Sequence, residues 1–381
     1  MPFSIDTAID KPKPSAKLDA LETHLSDQVA PIAQQLDRES DRLFSAFLAL
    51  GAKGWLAPKL SESCSKLSDG SVSSSLAKSQ GLGLDNHEYW QFQGAIARRS
   101  GALAFLQTQH QSAASLIQSG SNEALKPKYL PKMTTGDRRI GVGFSQLRRR
   151  PSPLRAEPIS DGYRLNGEVP WVTGAGLFSE FVGAAVLADG SVVFGLIPLV
   201  TQTVEDQRIV VGEPMPLAAM SSMNTVAVQI EDWILPAAQL VGHRPKVWIE
   251  ERDRASPLSP LGLILGCTEA GIDVLGQSLN RRNIDHDIVM QLRLRLSWFQ
   301  THLSKIEALP SSAYEQKLAF RGEAITLMNT CTQAAVIASS GAANMLTHPA
   351  QRVYGESMVF SVSGQTTNGA IATLNHLIKA V

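Results

Sequence analysis

Apolar positions recur at helical spacing toward both ends of the chain and alternate through its middle. From Leu18 to Leu50 they follow the period of an amphipathic helix, which ends near Gly51 and Gly54. Tyr89 to Ser119 repeats the pattern with a Gly-Ala pause at Gly101, and Lys126 to Pro131 (KPKYLP) is expected to break the helical run and mark a domain boundary. Ile140 to Pro236 reads as strand. Within it GYRLNGEVPWVTGA (Gly162 to Ala175) predicts a hairpin turning at Asn166-Gly167, because a type I′ turn needs φ > 0 at both central positions. A second hairpin is predicted from Val182 to Ile197 around Asp189-Gly190, the Pro214 and Pro216 pair marks a turn, and Val226 to Ile230 alternates as a further strand. From Val241 onward the pattern returns to helix. Ile272, Leu275 and Leu279 share one face, as do Ile288, Leu292, Phe299 and Leu303. A break at Pro310-Ser311-Ser312 precedes a helix from Tyr314 to Met345 rich in small residues, and a last helix runs from about Asn368 to Lys379. The order is helical domain, β domain, helix bundle.

Composition narrows the class. A chain of 381 residues is too long for one compact core. Lys plus Arg equal Asp plus Glu at 35 each, so no overall field favours nucleic acid or an anionic membrane. Cys64, Cys267 and Cys331 follow no zinc or redox spacing and fit thiols in a reducing compartment. His110, His286 and His348 are isolated, so no metal site is expected. Residues 1 to about 16 read as a disordered lead and Ser61 to Ser79 as a serine-rich loop. With no apolar leader and no 18-residue apolar run, a cytoplasmic protein is the expectation. Trp171 and Thr173, two apart on one strand face, offer a flat indole and a hydroxyl to a flat, hydrogen-bonding cofactor.

Several segments together resemble the acyl-CoA dehydrogenases, which bind FAD. KYLPKMTTGDRRIGVGFSQL (Lys128 to Leu147) is similar to the family's entry into the β domain. GYRLNGEVPWVTGA is similar to its flavin-facing segment, and VQIEDWILPAAQLVG (Val228 to Gly242) to its exit strand. RRNI (Arg281 to Ile284) resembles the Arg-x-x-Phe signature, and PAQRVYGES (Pro349 to Ser357) the stretch before the catalytic carboxylate. The resemblance implies an α+β multidomain chain: an N-terminal α-helical domain over 17–137, a middle β-barrel or sandwich domain over 138–238 and a C-terminal four-helix bundle over 239–381. It also implies FAD as cofactor. Thr173 would direct its hydroxyl to flavin N5 and Trp171 would cover the ring. Phe144 and Ser145 would line the pyrimidine end, Arg281 would meet the pyrophosphate, and Gln365 and Thr366 would also contact the cofactor. A homodimer or homotetramer is implied, packed through the small residues of Thr332 to Ala343.

The chain departs from that pattern where the chemistry is done. The family's base is the glutamate of Tyr-Glu-Gly-Thr. Here the stretch reads FSVSGQTT, the position falls on Ser363 or Gly364, and no Asp or Glu follows Glu356. A hydroxyl with no adjacent base cannot deprotonate a carbon acid near neutral pH. Some members carry the base near Ala255 instead, where Glu250, Glu251 and Asp253 stand; the alternative for that run is a solvated, salt-bridged cluster. Glu356 matches a structural acid of the family. The Pro-Gly-Ala-Gly-Ser-Asp loop is replaced by Arg148-Arg149-Arg150-Pro151, which either holds a phosphate or carboxylate or is a solvated run. Ser340-Gly341 and Ile337 replace a Gly-Gly and a glutamine. The expected activity is an FAD-dependent oxidoreduction of the CH–CH group of an acyl thioester or related small molecule. The alternatives are a flavin monooxygenase on the same fold, or a catalytically degenerate flavin-binding protein.

Overall fold

The computed structural model describes residues 18–61, 81–284 and 287–379, so the expected lead, most of the serine-rich loop, Cys64 and His286 lie outside the described residues. An N-terminal helical domain, a middle β-sheet domain and C-terminal helices follow one another along the chain.

The first helical stretch is segmented. Helix α1 (Asp19–His24) widens by a residue per turn over Leu25–Val29, tightens around Pro31, and continues as α2 (Ala33–Leu36) before α3 (Ser40–Gly51). Pro31 has no amide hydrogen to give, so the regular ladder cannot pass through it. Helices α4 (Asn86–Arg99) and α5 (Gly101–Gln118) meet at Ser100, whose extended backbone ends one and whose hydroxyl accepts Leu103 N–H at the start of the other. KPKYLP does not break the helical run. It lies inside α6 (Leu125–Thr135), with Pro127 in the first turn, where no amide partner is needed, and Pro131 costing one ladder bond. His110 of α5 locks the next strand in place. Its Nε2 donates to the Met133 carbonyl and its Nδ1 accepts the Ile140 amide, and burial keeps the ring neutral.

The strands form one sheet: β1 (Ile140–Gly143), β2 (Leu154–Ile159), β3 (Gly162–Val172), β4 (Glu180–Val186), β5 (Val192–Pro198), β6 (Gln202–Val204), β7 (Gln207–Val211), β8 (Val226–Pro236) and β9 (Leu240–Arg244). The order is β6-β7-β8-β3-β2-β4-β5-β9, with β1 added in parallel to β4. The Asp189-Gly190 hairpin forms as expected, pairing β4 with β5. The Asn166-Gly167 hairpin does not. Gly162 to Val172 is a single strand paired on both sides, and the β2–β3 turn lies at Ser160-Asp161. At Asn166 the register with β8 slips by one, Glu231 and Asp232 forming a bulge against it, with Asp232 at positive φ. Asn166 exchanges hydrogen bonds with Asp232, and Gly167 takes φ +126 where a Cβ would meet the Pro153 carbonyl oxygen. A bulge uses the same positive φ that a turn does. Val241 is not yet helix; it belongs to β9.

The C-terminal helices are α7 (Trp248–Ala255), α8 (Leu261–Arg282), α9 (Asp287–Glu307), α10 (Tyr314–Ser339), α11 (Pro349–Val362) and α12 (Thr367–Lys379). The expected faces of α8 and α9 are buried except at Ile288, which is exposed while Val289 faces the core. Helix α10 stops at Ser339, short of Met345, because Ser340 turns to φ +55. Where α8 crosses α4 the backbones touch: a Cβ on Gly266 would sit 2.3 Å from the Gly94 carbonyl oxygen. One core runs from the N-terminal helices through the sheet into α8 and α10, and a second lies between α5, α6, β4, β5 and α7.

Candidate functional site

Strands β1 and β3 pass each other at two glycines. A Cβ on Gly141 would meet the Thr173 carbonyl, and one on Gly143 the Val169 side chain. The chain therefore leaves β1 at Phe144 and Ser145 close to β3. Phe144 buries its ring against Phe194 and Trp248, with the Arg252 guanidinium 5.1 Å over it; Ser145 is exposed. Trp171 and Thr173 follow a bulge in β3, between Val169 and Val172. The Trp171 indole is 46% exposed, whereas Thr173 is 8% exposed and shares a hydrogen bond with the Thr225 hydroxyl at 3.1 Å. One of those two hydroxyls donates to the other, which leaves one hydroxyl proton free to donate elsewhere.

The segment between α11 and α12 holds Ser363 and Gly364, the two positions where the resemblance implied a base. Ser363 spends its hydroxyl on the Val359 carbonyl. Gly364 takes φ +59, and a Cβ there would meet only Pro260 Cγ, at 3.6 Å. The segment is held by Arg321 of α10, whose guanidinium donates to the carbonyls of Ser363, Gly364 and Pro257 and to Gln365 Oε1. Arg321 is 3% exposed, and burial brings its pKa down to about 10. Thr366 accepts the Gly369 amide on its hydroxyl and so caps α12.

The two charge runs meet each other. Arg148 grips Asp253 with two hydrogen bonds of 2.8 and 2.6 Å, and Arg150 pairs with Glu250. These pairs tie the turn after β1 to α7. A cleft of about 370 Å³ is lined by Glu250, Glu251, Asp253, Tyr314 and Thr366, and a smaller cavity beside it by Arg148, Arg252, Asp253, Arg321, Gly364 and Thr366. The fold therefore gathers the acidic run, the arginine run and the Gly364 segment. Trp171 and Thr173 line neither space. Arg281 is exposed near the far end of α8, about 30 Å from Leu261 at 1.5 Å per residue. Arg321 and Arg252 were not singled out from sequence. A signal was there for Arg321: it interrupts the apolar series Leu318, Ile325, Met328 on one helical face.

Residues 15–137 match the family described as "Acyl-CoA dehydrogenase, N-terminal domain". Over those residues the chain is similar to that family. The chain is 27% identical over 235 residues to the mitochondrial isovaleryl-CoA dehydrogenase of Pongo abelii, a match covering 58% of this chain and 51% of that protein. The match thus spans about half the length of that relative. Two solved structures share the fold of this chain. A glutaryl-coenzyme A dehydrogenase complex superimposes with a TM-score of 0.74 at 16% identity, covering 98% of each chain. Butyryl-CoA dehydrogenase from Megasphaera elsdenii gives 0.71 at 13% identity, covering 95% of this chain and 97% of its own. Among the described residues no helix is long and apolar enough to cross a membrane, and no cluster of three or more His, Cys, Asp or Glu could hold a metal.

Proposed function

We propose that the chain is a flavin-dependent oxidoreductase that binds FAD between the β domain and the C-terminal helices and acts on an acyl thioester or a related small molecule. The observation that carries this reading is the exposed Trp171 indole beside the Thr173–Thr225 hydroxyl pair, which retains one donor proton. These residues fit an isoalloxazine: the indole to cover it and the free hydroxyl proton to bond a ring nitrogen. FAD, when bound, would supply the hydride acceptor. Thr173 would orient the ring, Ser145 and the Phe144 backbone would approach its pyrimidine edge, and Gln365 and Thr366 would line the approach from the helices. The distance between Arg281 and Gly364 means that Arg281 would reach the cofactor of a neighbouring copy.

The absence of a carboxylate at Gly364 favours a second reading, a flavin monooxygenase, which needs none there. The visible spectrum of the purified protein separates them. Yellow protein bleached by acyl-CoA supports the first reading. Bleaching only by a reductant, followed by oxygen consumption, supports the second. Protein that neither contains nor takes up FAD at micromolar concentration sinks both.

The assembly proposed is a dimer or tetramer. The small-residue face of α10 is used inside the chain: Thr332, Ala335 and Ala338 are buried, and a Cβ on Gly271 of α8 would lie 3.1 Å from Thr332. Uncovered apolar residues include Ile337 on α10, Tyr354, Met358 and Val362 on α11, and Ile371, Leu374 and Ile378 on α12. The α11 and α12 sets are each spaced as one helical stripe, and exposed apolar area of this kind marks an interface. The double variant Met358→Glu, Ile371→Glu is expected to run as a monomer in light scattering while the parent does not. A monomeric parent at micromolar protein sinks the proposal.

A further inference from the structure

An enclosed cavity of about 30 Å³ beside Gly364 is lined by three arginines, Arg148, Arg252 and Arg321, and by one carboxylate, Asp253. Asp253 is committed to Arg148 through two hydrogen bonds, and lies 4.0 Å from Arg252 Nη1. Arg321 spends four contacts on neutral acceptors, and its buried Nε–H has no acceptor at all. Three positive groups against one negative leave two positive charges in excess in a shielded space. Burial lowers the pKa of both Arg321 and Arg252, which measures what it costs to hold them charged there. A buried guanidinium N–H without an acceptor, beside a cavity with uncompensated positive charge, is completed by an oxyanion.

We propose that this cavity is an oxyanion subsite, receiving a carboxylate of the substrate or a phosphate of the cofactor. The space is sufficient: a water-sized sphere occupies about 10–15 Å³, so two oxygens are admitted. The adjoining cleft is the more acidic space, with Glu250, Glu251 and Asp253 against Arg254, and Glu250 is already paired with Arg150. The place itself is telling. Gly364 is, with Ser363, one of the two positions where the resemblance implies the family's carboxylate, and the cationic lining would accept one from a ligand instead. This goes beyond the flavin reading, because the subsite binds an oxyanion whether or not flavin is present.

The test is the unfolding temperature of flavin-stripped protein titrated with sodium acetate and, separately, with inorganic phosphate, with chloride holding ionic strength constant. A saturable rise that chloride does not produce is expected. Arg252→Met is expected to weaken the response about tenfold or more, as loss of a charge-assisted hydrogen bond would. Arg321→Met should do the same, and because it could also disturb the segment it holds, the Arg252 variant decides if it fails to fold. Repeating the titration after adding FAD assigns the source. A persisting acetate response points to a substrate carboxylate, and a response abolished by FAD points to a cofactor phosphate. No response beyond that of chloride, or an equal response in the arginine variants, overturns the proposal. Failure to take up FAD would sink the flavin reading while leaving the acetate titration to decide this one.

Discussion

Gly364→Glu is expected to raise the α,β-dehydrogenation of a saturated acyl-CoA by about 10²-fold, starting from a protein that turns it over slowly or not at all. General-base catalysis typically contributes about 10²–10⁴-fold, or roughly 3–5 kcal/mol of barrier. Ser363 and Gly364 supply no such group, and Ser363 is bonded back to Val359. Space is available at Gly364, where an added Cβ would meet only Pro260. The left-handed backbone at φ +59 costs about 1–2 kcal/mol of stability for a residue with a side chain. The gain should fall at the low end of the range because Arg321 lies beside the segment, and a cation there weakens an introduced carboxylate as a base. The measurement is turnover of saturated acyl-CoA by parent and variant, with Ser363→Glu, in the other register, gaining less. Ordinary family rates in the unaltered protein would refute the idea. Glu250, Glu251 and Asp253 would then be replaced by alanine in turn, although Glu250 and Asp253 are already held by arginines.

Glu356→Ala is expected to cost about 3–5 kcal/mol of stability, which is the usual loss when one partner of a buried ion pair is removed. Glu356 is 0% exposed and joins three parts of the molecule. Its Oε1 accepts from Arg352 at 2.6 Å and from the Gly101 amide at the start of α5 at 2.8 Å. The Met220 side chain from the β domain packs at the same point, and the Met220 amide is held by Asp37 of the N-terminal domain. Burial raises the carboxyl pKa of Glu356, and Arg352 opposes that rise. Alanine would leave Arg352 charged, buried and unmatched, and the Gly101 amide without an acceptor. Urea unfolding measures the loss, with Glu356→Gln intermediate because it preserves shape but not charge. An alanine variant within about 1 kcal/mol of the parent would show that the pair is not what holds the junction.

Local pattern was enough to determine much of this protein. Helical period and strand alternation placed the helical domain, the β domain and the closing helices in order. Ser100 and Gly101 marked a helix junction, and Asp189-Gly190 marked a hairpin, because each acts within a few residues of itself. Order and spacing of the short segments carried the resemblance to a family, and the lack of any Asp or Glu after Glu356 could be read directly. Other features depend on partners distant in sequence. Asn166-Gly167 suits a turn and a strand facing a bulge equally well, and only the arrival of Asp232 on β8 selects the second. The arginine run and the acidic run were each ambiguous alone, and they neutralise one another across 105 residues in the Arg148–Asp253 pair. The small residues of α10 suited an outer interface, but α8 covers them first. Arg321 sits on an apolar helical stripe, and the acceptors that justify its burial come from Pro257, Ser363 and Gly364, which only the packed helices bring within reach. Propensity and periodicity act along the chain, whereas charge compensation, burial and cavities depend on what folds against what, and so the domains were legible in the sequence while the cationic cavity beside Gly364 belongs to the tertiary structure alone.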